Sequence, residues 1–155
     1  MERISNSEVP EGLIRAMLQV QGYIDNTGLG KRMIELMQTR VSQMNGCAYC
    51  LDMHSKEAID AGESIQRLIL VSAWREAPYY SPQERAVLEY AEILTKLEEG
   101  LDLNAIHVEL RKYFTKPEIA HLTLAIAQIN SWNRLVKSFG TVAGSYKVQS
   151  EKSKV

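Results

Sequence analysis

Apolar residues recur at intervals of three and four along almost the whole chain, and this spacing constrains the fold more than any other feature. The clearest case lies in residues 29–44, where the apolar side chains fall on one helical face: Ile34, Met37, Val41 and Met44. No segment shows the alternation of apolar and polar residues that is typical of a half-buried strand. The pattern therefore predicts an all-α fold.

Glycine, proline and small polar residues divide this pattern into about seven helices. Ser81, followed by Pro82 and Glu84, predicts a strong helix start, because serine caps the first turn and the glutamate completes a capping box. Gly46 predicts a helix end, since glycine readily adopts the left-handed backbone conformation found there. The predicted helices span approximately residues 10–24, 29–44, 47–62, 65–76, 81–97, 104–113 and 115–139.

The size and composition of the chain predict a single domain. Its 155 residues are 45% hydrophobic and 24% charged, which is enough apolar material for one core. We therefore predict a single-domain helical bundle over residues 10–144, between a flexible N-terminus (residues 1–9) and a polar C-terminal tail (residues 145–155). Packing of short-looped helices against one another is the typical architecture for such a pattern.

Charge and hydropathy exclude two classes of partner. The net charge of −1 gives no reason to expect binding to nucleic acid or to an anionic membrane surface. No apolar run approaches the roughly 18 residues needed to span a membrane, and residues 1–8 lack the apolar segment of a secretion signal. These features predict a cytoplasmic location.

Both cysteines of the chain lie in one short stretch together with one of its three histidines, in the order Cys47, Cys50, His54. At about 100° per residue, the three side chains fall within roughly 60° of one face at the start of the predicted third helix. Two cysteines at this spacing can share a disulfide without movement of the backbone. In a reducing cytosol such a pair is more often redox-active or metal-binding than structural.

The surroundings of these cysteines favour a reactive thiolate, which is the nucleophilic form of cysteine. The positive end of a helix dipole lowers the pKa of a nearby thiol, and this effect favours Cys47, the cysteine nearer the helix start. A histidine one turn away can accept the thiol proton, and this effect favours Cys50, since His54 follows it by four residues. The residues alone leave open which cysteine attacks.

The stretch Met44–Ala58 resembles the signature of the alkyl hydroperoxidase D family, within the carboxymuconolactone decarboxylase superfamily. In that family a glutamate precedes the first cysteine by about twelve residues, and here that position is Glu35. Residues 74–78 and 129–134 also resemble single-domain members. The resemblance covers roughly residues 10–140.

The resemblance implies an antioxidant enzyme with peroxidase activity of the peroxiredoxin type. Cys50 would be oxidised by a small-molecule hydroperoxide, Cys47 would resolve the product as an intramolecular disulfide, and Glu35 with His54 would form the proton relay. A dithiol or protein reductant would then restore the thiols. The family implies no haem, flavin or metal, and an all-helical homo-oligomer: a dimer, trimer or hexamer.

Three further residues are candidates for substrate binding. Tyr49 lies between the cysteines, where some members of the family carry a second histidine. Tyrosine is not a base at neutral pH, because its pKa lies near ~10, but it still donates or accepts a hydrogen bond. Trp132 and Asn133, on the last predicted helix, are the other two candidates, either for the site or for a subunit contact.

Three other functions use the same residues. A zinc site would take both cysteines and His54 as ligands, with a fourth ligand from His107, His121 or Glu35. A non-enzymatic redox sensor would oxidise once and turn over poorly. A carboxymuconolactone decarboxylase-type enzyme would use the histidine and glutamate as acid and base without the cysteines.

Overall fold

The computed structural model describes residues 2–148. Within that range the secondary structure is helical throughout and contains no strand, so the all-α prediction is confirmed. A 3-10 turn over Val71–Ala73 follows the fourth helix. The seven α-helices of residues 2–148 are α1 (Glu11–Asp25), α2 (Lys31–Asn45), α3 (Ala48–Asp60), α4 (Ile65–Leu70), α5 (Pro82–Lys96), α6 (Asn104–Leu110) and α7 (Lys116–Phe139).

Two helices, α2 and α7, form the centre of the bundle. Helix α2 packs against α3, α5 and α7, and α7 also packs against α1 and α5. The stripes predicted from the sequence supply the core: Met37 and Val41 from α2, and Leu122, Ile126 and Ile129 from α7 are buried. Burial of each such side chain stabilises the fold by about 1.5–3 kcal/mol. None of the helices in residues 2–148 combines the length and apolar content required to cross a membrane.

The helix boundaries follow the local signals in the sequence. Ser81 with Glu84 and Thr115 with Glu118 form complete capping boxes at the starts of α5 and α7. Each box satisfies backbone N–H groups that have no partner inside the helix. Gly46 ends α2 with φ of 60° and ψ of 41°, the left-handed conformation that the sequence predicts.

The N-terminal segment, predicted to be flexible, lies against the end of α7. The backbone N–H groups of Arg3 and Ile4 donate to the carbonyl oxygen of Phe139 at 2.7 and 3.1 Å. The Arg3 guanidinium donates to the carbonyl of Ser138 at 2.7 Å. Val9 is buried. These contacts satisfy carbonyl groups at the C-terminus of α7.

The first part of the predicted polar tail lies along α3. The backbone N–H of Gly144 donates to Asp52 at 3.1 Å, and the Lys56 ammonium donates to the carbonyl of Tyr146 at 3.0 Å. The Tyr146 hydroxyl donates to Glu57. The rest of that tail, residues 149–155, lies outside the described residues, as does Met1.

A buried carboxylate joins α2, α5 and the segment after α4. Glu92 accepts hydrogen bonds from Arg40 Nε at 2.7 Å, Trp74 Nε1 at 2.8 Å and Arg75 Nη1 at 2.6 Å. Burial by itself raises the pKa of the Glu92 carboxyl, but the hydrogen bonds from Arg75, Trp74 and Arg40 outweigh burial and hold that pKa below its ordinary value of 4.5. The ionised carboxylate is therefore part of the folded structure.

The substitution Glu92→Gln should lower the free energy of unfolding at pH 7 by about 3 kcal/mol, because it leaves two arginines without their buried counter-charge. Because the pKa of Glu92 is lower in the folded state, its contribution is present above about pH 4.5 and is lost as the pH falls. Urea unfolding of Glu92→Gln should therefore show a smaller loss of stability on acidification than the wild type. Glu89→Gln, at an exposed position of the same helix, is the control. An equal loss in the free energy of unfolding in both variants would contradict the structural role of the Glu92 carboxylate.

Candidate active site

The tight turn between α2 and α3 sets the position of the cysteines. After the left-handed Gly46, the backbone N–H of Cys47 donates to the carbonyl of Ser42 at 3.0 Å. Cys47 is the N-cap residue of α3, and its sulfur accepts the backbone N–H of Cys50 at 3.4 Å. This sulfur therefore takes the place that a serine or aspartate oxygen takes in most helix caps.

Cys47 and Cys50 are joined by a disulfide, with 5.3 Å between their Cα atoms. Both residues are buried: Cys47 is 0% and Cys50 is 2% exposed. The two sulfurs thus lie together at the start of a helix, but the oxidised pair has almost no contact with solvent.

Glu35 on α2 faces His54 on α3. His54 Nδ1 donates to Glu35 Oε2 at 2.8 Å, and both side chains are largely buried. His54 lies one helical turn after Cys50. A carboxylate at Nδ1 orients the imidazole and favours the tautomer whose other nitrogen, Nε2, accepts a proton. The structure thus joins Glu35 to His54 across α2 and α3, and joins Cys47 to Cys50 at the start of α3.

A cleft of about 310 Å³ borders the turn between these helices. Cys47 and Tyr49 line one side of it, Val136 and Lys137 of α7 line the other, and Arg3 completes the rim. Tyr49, predicted to bind substrate, therefore lies in the wall of this cleft.

The other two candidates for substrate binding, Trp132 and Asn133, do not line this cleft. Trp132 is half-buried and packs against the core. Asn133 is buried; its Nδ2 donates to Ser42 Oγ at 3.2 Å, and its Oδ1 accepts from Asn45 Nδ2 at 2.8 Å. Asn133 thus fixes the end of α2, and with it the cysteine turn, against α7.

Three residues of this polar contact were not predicted from the sequence: Asn45, Asn130 and Lys137. Asn45 Nδ2 also donates to Asn130 Oδ1 at 3.0 Å, and Lys137 Nζ donates to the carbonyl of Asn45 at 2.6 Å. The available signal was the three-residue spacing of Asn130 and Asn133, which places two amides on one side of α7.

Sequence reasoning also missed the pair of Glu57 and Tyr146, which lies near Glu35. Glu57 accepts from Lys31 Nζ at 2.8 Å and from the Tyr146 hydroxyl. Burial, the hydrogen bond to Glu57 and the nearby charge of Glu35 raise the pKa of the Tyr146 hydroxyl, so it remains a donor at neutral pH. The segment that carries Tyr146 thus covers part of α3 near the candidate site.

The ligands of the alternative zinc site do not come together. His107 lies 3.5 Å from the Tyr90 hydroxyl, and His121 lies 3.0 Å from the Tyr23 hydroxyl. Among residues 2–148, no group of three or more histidine, cysteine, aspartate or glutamate side chains has the geometry to hold a metal ion. Glu35, the remaining candidate for the fourth ligand, contacts His54 instead.

Comparison with known proteins identifies the family to which this chain belongs. The sequence profile of the carboxymuconolactone decarboxylase family matches residues 11–92, which include both cysteines, Glu35 and His54. The uncharacterised protein YdfG of Bacillus subtilis strain 168 is 37% identical over 145 residues, which are 93% of this chain and 98% of YdfG. The alkyl hydroperoxide reductase AhpD of Coxiella burnetii is 42% identical over 53 residues, which are 32% of this chain and 30% of that protein.

A solved structure from Agrobacterium tumefaciens agrees with this assignment. That protein, of unknown function and suggested to be an antioxidant defence protein AhpD, superposes with a TM-score of 0.88 and 36% identity. The match covers 94% of this chain and all of that one. The chain therefore has an AhpD-like fold and belongs to the carboxymuconolactone decarboxylase family.

Proposed function

We propose that this protein is a thiol-dependent hydroperoxide reductase that works through Cys47 and Cys50 in antioxidant defence. The observation that carries the proposal is the contact of Glu35 with His54, one helical turn from Cys50. The imidazole, oriented by a carboxylate, supplies a proton acceptor. The pair of thiols at the start of a helix supplies a nucleophile and a second thiol. The similarity to AhpD proteins favours a hydroperoxide as the substrate.

The reaction begins from the reduced pair. The Cys50 thiolate attacks the terminal oxygen of the hydroperoxide, so that an S–O bond forms and the O–O bond breaks. The electron pair of the O–O bond goes to the leaving oxygen, which takes a proton from His54 and departs as an alcohol. The sulfur is oxidised to a sulfenic acid by two electrons, and the peroxide is reduced by two.

The second half of the cycle restores the thiols. The Cys47 sulfur attacks the Cys50 sulfur, an S–S bond forms, and the sulfenic oxygen leaves as water. An external dithiol or a protein reductant then exchanges with this disulfide and becomes oxidised itself. The sulfur pair carries both electrons, so the reaction as proposed needs no further cofactor.

His54 and Glu35 have separate roles in this scheme. His54 takes the thiol proton of Cys50 and later delivers it to the leaving oxygen, as a general base and then a general acid. Glu35 holds the ring at Nδ1 and stabilises the imidazolium that forms. Cys50 is the attacking residue because His54 follows it on the same face of α3, whereas the Cys47 sulfur caps the helix.

The burial of both sulfurs favours a second candidate function, a redox sensor that oxidises once. In a sensor the disulfide would form but would be reduced slowly, because a reductant has little access to either sulfur. Repeated turnover in excess dithiothreitol separates the two functions. Many peroxide molecules reduced per protein chain support the enzyme, and a single turnover supports the sensor.

We also propose that the protein acts in the cytoplasm as a homo-oligomer. Apolar side chains at the surface support self-association: Ile65 and Ile69 lie one turn apart on α4 and are 64% and 66% exposed. Multi-angle light scattering of the purified protein tests this proposal, and a monomeric mass across the working concentration range would contradict it.

Single cysteine variants test the order of attack. With tert-butyl hydroperoxide, Cys50→Ser should abolish peroxide consumption, because it removes the attacking sulfur. Cys47→Ser should react once and gain the mass of one oxygen atom, since no second thiol remains to displace it. The wild type should instead lose two hydrogens. Mass spectrometry identifies all three products. Gain of one oxygen atom by Cys50→Ser, together with no peroxide consumption by Cys47→Ser, would make Cys47 the attacking residue.

Variants of the relay test the roles of Glu35 and His54. Glu35→Gln and His54→Gln should each slow the oxidation of the reduced protein by roughly 10- to 100-fold, because each disrupts proton transfer at Cys50. The double variant should be about as slow as His54→Gln alone, since the two residues act as one unit. Asp52→Asn, which breaks the ion pair with Lys56 on α3, is the control. An equal loss of rate in this control would exclude a specific relay.

A further inference from the structure

Three contacts fix how α2 and α3 lie against each other. Lys31 pairs with Glu57, Glu35 pairs with His54, and the Ser42 carbonyl accepts from the N–H of Cys47. The two helices are therefore antiparallel, and a step along α2 corresponds to an equal step backwards along α3. In this register the residue between Glu35 and Ser42, at position 38, lies level with Cys50 and Leu51.

Gln38 also lies on the side of α2 that faces α3 and α7. At about 100° per residue, its side chain projects about 40° from that of Ser42 and about 60° from that of Glu35. Asn45, which projects within about 20° of the same direction, contacts α7. Gln38 therefore projects towards the junction of α2, α3 and α7, at the level of Cys50.

The Gln38 side chain has a donor that the protein does not use. Gln38 is only 1% exposed, and its Nε2 is buried with no hydrogen-bond acceptor among residues 2–148. Buried amide groups almost always have a partner, because loss of hydration without a replacement hydrogen bond destabilises the fold. The contrast within this chain is Gln128, which is also buried but donates from Nε2 to the carbonyl of Met17 at 2.8 Å.

We infer that Gln38 is a substrate-binding donor of the proposed peroxidase, and that its amide binds the hydroperoxide oxygen that Cys50 attacks. This inference rests on the proposed function, because the acceptor it needs is the oxygen of the substrate. Its basis is two observations, the unused donor and its burial, together with the level of Cys50 at which the helix register places Gln38.

The chemistry of the first step suits a neutral donor at this place. As the S–O bond forms and the O–O bond breaks, the attacked oxygen passes to sulfur and the leaving oxygen takes the proton of His54. The amide keeps its own proton throughout and, by a hydrogen bond to a lone pair of the attacked oxygen, holds the O–O bond in line with the Cys50 sulfur. A donor fixed in place before the reaction orients the peroxide without reorganisation of the site. After the step, the same donor binds the sulfenic oxygen until Cys47 attacks the Cys50 sulfur and that oxygen leaves as water.

The experiment compares Gln38→Met with Gln128→Met. Methionine keeps the length of glutamine and removes the donor. Each reduced protein is mixed with tert-butyl hydroperoxide and its remaining thiols are titrated over time. The reduction of each oxidised protein by dithiothreitol and its thermal unfolding are measured as well.

The inference predicts opposite behaviour for the two variants. Gln38→Met should oxidise about tenfold more slowly, or slower still, because a hydrogen bond that orients the peroxide for attack is lost. Its reduction by dithiothreitol should stay within about twofold of the wild type, and its thermal stability should be equal or higher, since no hydrogen bond within the protein is broken. Gln128→Met should be less stable but should oxidise at the wild-type rate.

Three results would overturn the inference. Oxidation of Gln38→Met at the wild-type rate would remove Gln38 from the site and leave the proposed function intact. Loss of folding, or an equal slowing of oxidation and reduction, would make Gln38 a packing residue. A wild-type protein that does not react with the peroxide would overturn both the proposed function and the role of Gln38.

Discussion

The packing of α2 against α3 determines where every group of the candidate site lies. The left-handed turn at Gly46 reverses the chain, and the hydrogen bond from Cys47 to Ser42 closes the turn. From there the antiparallel pairing carries Glu35 to His54 at 2.8 Å. Because both helices also pack in the bundle, the relay is positioned by the core and not by a mobile loop. A change in the tilt of α3 would alter the thiol pair and the imidazole together.

The same packing buries the disulfide that an external reductant would have to reach in the proposed cycle. Thiol exchange requires a thiolate to approach one of the two sulfurs directly. The cleft beside Cys47 and Tyr49 reaches the turn, but the sulfur-bearing residues are closed to solvent. In the proposed cycle, exchange would therefore require a local opening of the first turn of α3, which would cost less free energy than unfolding of the bundle. The contacts from Lys137 to Asn45 and from Asn133 to Ser42 stabilise the closed form.

The helices could be predicted from the sequence because their signals are local. The apolar spacing of α2 and α7, the capping boxes at Ser81 and Thr115, and the stop at Gly46 each act within a few residues. The positions of Cys47, Cys50 and His54 on one face follow from helical geometry in the same way. The contact of Glu35 with His54 depends instead on how two helices pack, and only the family resemblance indicated it. The amide contacts of Asn45 with α7 and the position of Tyr146 near Glu35 depend on residues far apart in sequence. The local spacing of Asn130 and Asn133 places two amides on one side of α7 but does not identify Asn45 as their partner.

Charge balance explains why an amide, and not a cation, suits the position opposite Cys50. The proposed reaction uses the Cys50 thiol, the His54 imidazole that accepts its proton, and Glu35, which contacts the ring. In the proposed reaction, transfer of the thiol proton to His54 separates charge but leaves the net charge of the site unchanged, because the proton stays within it. The imidazolium so formed would lie against Glu35. An added cation would compete with His54 for Glu35 and weaken the hold on Nδ1. The Gln38 amide avoids that competition: it supplies a donor to oxygen, adds no charge and, being uncharged, is less costly to bury than lysine.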